Sequence, residues 1–360
     1  MASQSAAVAP PPPAAQKSTS AAPAPPAALE PKPKAGPGAL PGGSPKPPEV
    51  LAAAKKLEVA EVTGGEPAGG RPDPVFQGVM SQLAEDHAVV TRLQERIRAD
   101  EASGRKPDRV ALRAAAAELA EGTDAGTEEL DALVERSLAP GPPADPAAVG
   151  AHAAEVFKKF VPPTPEERKE IVAQADKPPV QHDPPPKGAL ELYEKNRDAF
   201  DYARRQLGVE PHHILGILGV ETRFGNYTGK HPVMKTLYAI AADGGKKGRQ
   251  AQKDLAGLMR LDQRGEFGKE SADTMRGSYA GAIGIPQFLP SSWEAYSLDK
   301  DGGGRDPFNY SDSVISVANY LRKHGYAQSP KKSFFGYNHS SEYVEKVNGL
   351  AERIKAGLPR

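Results

Sequence analysis

The 360-residue chain has no cysteine. Disulfides, thiolate zinc sites and a cysteine nucleophile are therefore excluded, and the redox compartment stays open. Charge of one sign is also lacking in excess, because Lys+Arg and Asp+Glu both number 46. No basic surplus points to nucleic acid, and no polybasic tail points to a membrane surface. No stretch approaches the roughly 20 apolar residues of a membrane helix. The opening MASQSAAVAPPPP has no basic region and no apolar run before its prolines, so no export signal is expected there.

Proline and glycine are abundant instead, at 37 and 36 residues, and 14 of the prolines lie in the first 50 positions. Residues 1–73, rich in Pro and Ala, cannot bury enough apolar surface to offset chain entropy. They are expected to be a disordered spacer, with a ligand for a proline-binding partner as the alternative. From Val75 the pattern changes. Phe76, Leu83, Val90 and Ile97 recur every seventh residue, with Val79 and Leu93 beside them, which predicts an amphipathic helix with a short coiled-coil-like seam. RVALRAAAAELAEG and TEELDALVERSL read as two more helices. Residues 74–140 thus form a small helical region, serving packing or, in the sharper reading, docking a protein partner. Residues 141–187 read as a linker with short helices. In it, APGPPADPAAVG is a break, AEVFKKF a short helix, and Thr164-Pro165-Glu166-Glu167 a capping-box helix start. The proline-rich DKPPVQHDPPPK marks the main domain boundary.

Residues 188–358 read as a compact, mainly α domain. ALELYEKNRDAFDYARRQLGV is predicted as helix, and Pro211 opens the next one, which stops near Gly225. PVMKTLYAIAA and RQAQKDLAGLMRLDQRG follow as helices. GSYAGAIGIPQF is irregular. Ser291 and Glu294 are spaced as a capping box before WEAYS. DSVISVANYLRKHG points Val314, Val317, Ala318 and Leu321 inward and ends at Gly325. A final helix follows YNHSSEY, and no segment alternates long enough to require a strand.

Within the Pro211 helix, Glu221 ends a run of seven aliphatic or glycine residues, Ile214 to Val220. Desolvation and the negative end of the helix dipole both disfavour its anion. A carboxyl raised towards neutrality is what a general acid requires. Pairing with Arg223 is the plain structural alternative. Ser278, Tyr279, Gln287, Tyr337 and Asn338 stand in glycine-rich settings, where a backbone can approach a ligand closely. Their side chains suit sugar hydroxyls and acetamido groups.

ILGILGVETRFG, GSYAGAIGIPQFLPSSWEAY, DSVISVANYLRKHG and YNHSSEYVEKV occur in that order. Together they resemble the membrane-bound lytic transglycosylase B family, over roughly residues 189–356. The resemblance implies a lysozyme-like fold and non-hydrolytic cleavage of the MurNAc–GlcNAc bond of peptidoglycan. It places Glu221 at the catalytic acid, Ser278 and Gln287 in the saccharide groove, and Tyr337, Asn338 and Tyr343 in the C-terminal site motif. It also implies a periplasmic or cell-wall location. Each position has a structural alternative: Ser278 as a turn cap, Gln287 as a buried amide, Tyr343 and Trp293 as core.

Some features depart from the family. SLDKDGGGRDPFN resembles a calcium loop, with Asp299 and Asp301 as candidate ligands. Gly303 and Arg305 replace the next two, and no glutamate closes the site, which argues for a glycine turn and no cofactor. Only AQSPKKSFFG separates the two C-terminal motifs. Tyr193 is offset from the usual groove tyrosine. Two other functions compete: a hydrolytic muramidase with Asp299, Asp301 or Asp306 as second carboxylate, and a non-catalytic peptidoglycan-binding scaffold.

Overall fold

A computed structural model describes residues 73–120, 126–139 and 145–359, and apart from Asp73 the tail assigned to residues 1–73 lies outside them. The described chain is mainly helical, as its periodicity predicts. The long first helix α1 (Pro74–Ala102) starts on Asp73, whose carboxylate accepts from the Val75 and Phe76 amides, with proline in the first turn. Its seam divides. Val75, Val79 and Leu83 join the main core. Val90, Leu93 and Ile97 join a second, smaller cluster with α2 (Arg109–Leu119) and α3 (Thr127–Leu138). One amphipathic helix therefore supports two cores.

The helix α4 (Pro146–Lys159) starts eight residues before the predicted AEVFKKF, at Asp145-Pro146. Asp145 caps it and Pro146 takes the first position, so the segment read as linker already held a helix start. The capping box at Thr164 forms as expected and opens α5 (Pro165–Ala175). The predicted helix after Gly188 is two helices, α6 (Lys187–Lys195) and α7 (Arg197–Leu207). Asn196 breaks it at φ −128°, with its side chain donating back to the Leu192 carbonyl. Next come α8 (Pro211–Thr222), α9 (Val233–Asp243) and α10 (Gly245–Gln263).

The chain then runs through the glycine-rich segment to α11 (Pro290–Tyr296), α12 (Tyr310–Lys323), α13 (Pro330–Tyr337) and α14 (Ser341–Lys355). The sequence reading missed α13, which occupies the short spacer between the C-terminal motifs. The predicted capping box at Ser291 does not form. Leu289 occupies the N-cap position, Ser291 Oγ donates to Asp254 at 2.5 Å, and Glu294 is drawn into the interior. A two-residue pair, β1 (His231–Pro232) with antiparallel β2 (Arg276–Gly277), lies beside α9.

Glu294 is 5% exposed. It meets Arg260 at 2.8 Å, Arg136 at 3.1 Å and Arg264 at 3.3 Å. Asp86 of α1 pairs with Arg136 and Arg260 in turn. This network joins α1, α3, α10 and α11 beside the main core. Burial pushes the Glu294 carboxyl up, but the three guanidinium groups prevail and hold it well below the ordinary range.

Antiparallel α8 and α14 carry the site. Their close approach explains the glycines of ILGILGVE. A Cβ on Gly216 would lie 2.9 Å from the Val347 carbonyl, and one on Gly219 2.6 Å from Leu350 Cδ2. At Gly216 a side chain would push the α14 backbone away, and at Gly219 it would displace the Leu350 and Phe224 side chains.

Candidate active site

Glu221 sits one residue before the end of α8. The residue is half-buried, with its carboxyl set among protein atoms. Burial raises that carboxyl to about 7, and a hydrogen bond from Tyr343 Oη at 2.7 Å pulls the other way. The helix C-terminus adds to the rise, since its carbonyls turn partial negative charge on the group. Arg223, the alternative partner, instead donates from Nε to His182 Nδ1 at 3.0 Å.

Two tyrosines stand beside the acid. The rings of Tyr337 and Tyr343 lie parallel at 10°, centroids 6.4 Å apart. Tyr343 is fully buried, so it is core, and it is also the hydrogen-bond donor to Glu221. Tyr337 donates to the Pro286 carbonyl at 2.5 Å. Burial, with the charge of Glu221 behind it, drives both phenols well above their ordinary value, so they remain donors. Asn338 follows as the residue that ends α13.

The glycine-rich segment lies against the end of α8. Thr222 Oγ1 donates to the Ile285 carbonyl at 3.0 Å, tying the end of α8 to AIGIPQF. Gly284 has φ +68°, and a Cβ there would lie 2.4 Å from the Pro307 carbonyl. Gln287 holds φ 53°, and its amide donates to the Thr228 and Gly284 carbonyls at 3.1 and 2.8 Å. Ser278 Oγ accepts from the Ala280 and Ala282 amides, the geometry of a turn cap. Tyr279 is close enough for Glu221 to raise its phenol further, after burial. Its hydroxyl donates to the Pro178 carbonyl at 2.6 Å.

The proline-rich segment therefore reaches the site. His182 N donates to the Val220 carbonyl at 2.8 Å, next to Glu221. Sequence reasoning missed His182, Thr222 and Tyr310, whose hydroxyl donates to the Phe224 carbonyl at 3.1 Å. No local pattern marks His182 or Tyr310, because their partners are distant in the chain. Tyr193 belongs elsewhere. It is buried against Phe200 and borders a depression with His212 and Lys355.

Asp312 of α12 joins Asp299 and Asp301, with oxygens within 4.8 Å of one another. The loop's own amides take up much of this set. Asp299 accepts from Asp301, Gly302 and Gly304. Asp312 accepts from Lys300 and Asp306, and Asp301 from Gly303. Arg305 adds a cation to the loop and pairs with Glu266. The donor set fits a self-closed turn better than a calcium cage, which needs six to eight oxygens directed at one centre.

A buried, proton-retaining carboxyl faced by two phenols and a glycine-rich segment defines a class of acid-bearing helical domain. Residues 178–335 match the family described as "Transglycosylase SLT domain", so this part of the chain carries such a domain. The membrane-bound lytic murein transglycosylase B of Escherichia coli (strain K12) is 34% identical over 141 residues, covering 38% of this chain and 37% of that protein. The chain thus spans little more than a third of that relative's length. Crystallographic relatives agree in fold. Soluble lytic transglycosylase SltB1 from Pseudomonas aeruginosa has a TM-score of 0.51 at 21% identity, over 58% of this chain and 93% of that one. The Escherichia coli lytic transglycosylase Slt35 in complex with calcium has a TM-score of 0.50 at 20% identity, over 58% and 88%. The C-terminal part is lysozyme-like, as expected. Among the described residues no helix is long and apolar enough to cross a membrane.

Proposed function

We propose that this protein is a peptidoglycan lytic transglycosylase acting at the periplasm or cell wall. It cleaves the MurNAc–GlcNAc β-1,4 bond without water and leaves 1,6-anhydroMurNAc ends. The carrying observation is the Glu221 carboxyl, raised to about 7 and bound by Tyr343. Protonated Glu221 gives its proton to the glycosidic oxygen, and the C1–O bond breaks through an oxocarbenium-like state. The GlcNAc departs with its 4-hydroxyl restored. Glu221, now a carboxylate held by Tyr343, takes the proton of the MurNAc 6-hydroxyl. That oxygen bonds to C1 and closes the anhydro ring. An intramolecular nucleophile, already positioned, lets one carboxylate suffice. Tyr337, Tyr279, Ser278, Gln287 and Asn338 are the proposed saccharide contacts.

The hydrolytic alternative needs a second carboxylate. Asp299, Asp301 and Asp306 are each engaged by backbone amides of their own loop, which favours the single-acid reading. Purified sacculi incubated with the protein are expected to release fragments one water lighter than hydrolytic products by mass spectrometry. Reducing ends would establish the hydrolase instead. Release undiminished in Glu221→Gln would remove Glu221 from the reaction, and no release by the parent protein would leave the scaffold reading.

We also propose that the Asp299–Asp306 turn closes without calcium. Calcium titration should leave the melting temperature unchanged, and a saturable rise would overturn this.

A further inference from the structure

The α8–α14 pair has a second polar cluster at the end opposite Glu221. His212 and His213 open α8, and Glu352 lies near the end of α14. One ligand atom from each falls within 4.8 Å of the others. Both clusters span the same two antiparallel helices, nine residues apart on each, or about 14 Å along the axis.

We propose that His212, His213 and Glu352 form a site for a divalent transition metal of the zinc class, clamping α8 to α14. Two imidazoles and a carboxylate are a recurrent zinc donor set, leaving a fourth position for water. Bonds of about 2.1 Å place tetrahedral ligand atoms roughly 3.4 Å apart. The cluster must therefore contract by at most about 1.4 Å, through rotation of the exposed Glu352 side chain and small turns of the two imidazoles.

Two features support the assignment. First, His213 is already oriented. Its Nδ1 lies 2.5 Å from Tyr326 Oη, so Nε2 can ligate while the other ring nitrogen is held, as in most metal-bound histidines. Second, His212 opens onto a depression bordered by Glu210, Pro211, Lys355 and Pro359, which gives an ion its entry. The negative pole at the end of α14 offsets the positive pole at the start of α8. Lys355 is the resident competitor, 3.8 Å from Glu352 and 57% exposed, free to swing away.

The test is a Zn²⁺ titration of the tag-free full-length chain by calorimetry, with melting temperature in parallel. One equivalent is expected to bind and to raise the melting temperature. Glu352→Gln, an exposed change that spares the fold, should weaken binding more than about tenfold. Lys355→Met should strengthen it. His212→Asn should abolish it, with folding checked by circular dichroism. Absence of one-to-one binding, or equal binding by the parent and Glu352→Gln, would overturn the site. Neither result depends on catalytic activity.

Discussion

At the scale of the residue, Glu221 links stability and activity through one proton. Its folded pKa is raised, so the native state holds the proton more tightly than the unfolded chain. That contribution is full below the ordinary carboxyl value and is lost as pH rises towards about 7. Glu221→Gln should therefore stabilise the protein at pH 8 and do so less at pH 5. The upper bound is on the order of 3 kcal/mol, reduced where the residue meets solvent, and paired denaturant titrations would read it. Activity should carry the same proton, with kcat/KM on sacculi falling as pH rises through about 7. Tyr343 stabilises the anion, so Tyr343→Phe should move that alkaline limb to higher pH. A limb that stays in place would separate the rate from this carboxyl.

At the scale of the element, α8 and α14 determine whether Glu221 and Tyr343 meet. Gly216→Ala would set a methyl 2.9 Å from the Val347 carbonyl. Overpacking of this kind costs roughly 1–3 kcal/mol. The loss should appear in both unfolding midpoint and turnover, because a shift of α14 withdraws the Tyr343 hydroxyl. Here the sequence was partly legible. Seven apolar residues before a lone acid indicated burial and a raised pKa, and motif order indicated the tyrosines. The reason for two glycines inside the helix could not be read, because it lies in a helix more than a hundred residues later. Asn196 was equally opaque, since a helix break of this kind depends on packing more than propensity. The capping box at Ser291 failed for a related reason: three arginines attract Glu294 more strongly than one backbone amide does.

At the scale of the whole molecule, the first helix and the acid-bearing part share a core. The composition shift at DKPPVQHDPPPK is real as local chemistry, yet Val75, Val79 and Leu83 pack with residues beyond it. A fragment starting at Lys187 would uncover the face of α10 that meets α1 and α4. It should unfold at lower denaturant concentration than the full chain and bind a hydrophobic dye. Glu294→Ala should cost up to roughly 3–5 kcal/mol, because Arg260 then keeps Asp86 as its remaining carboxylate partner and shares it with Arg136. The depressed Glu294 carboxyl stabilises the fold above its unfolded value of about 4.5, and that support drains as pH falls below it. Acid titration of the parent against Glu294→Gln would reveal the difference.

Arg223, Phe224 and Gln287 hold left-handed backbone angles although each carries a side chain. Glycine would relieve on the order of 1 kcal/mol of backbone strain at such a position, less what it adds to the freedom of the unfolded chain, but at Phe224, 5% exposed, the lost burial outweighs that gain. Arg223 and Phe224 directly follow the helix end that carries the proposed acid, and Gln287 lies in the segment that Thr222 ties to that end. Selection for heat resistance and selection for turnover would then pull Arg223 and Gln287 in opposite directions, and variants bred for one should drift away from the other here first.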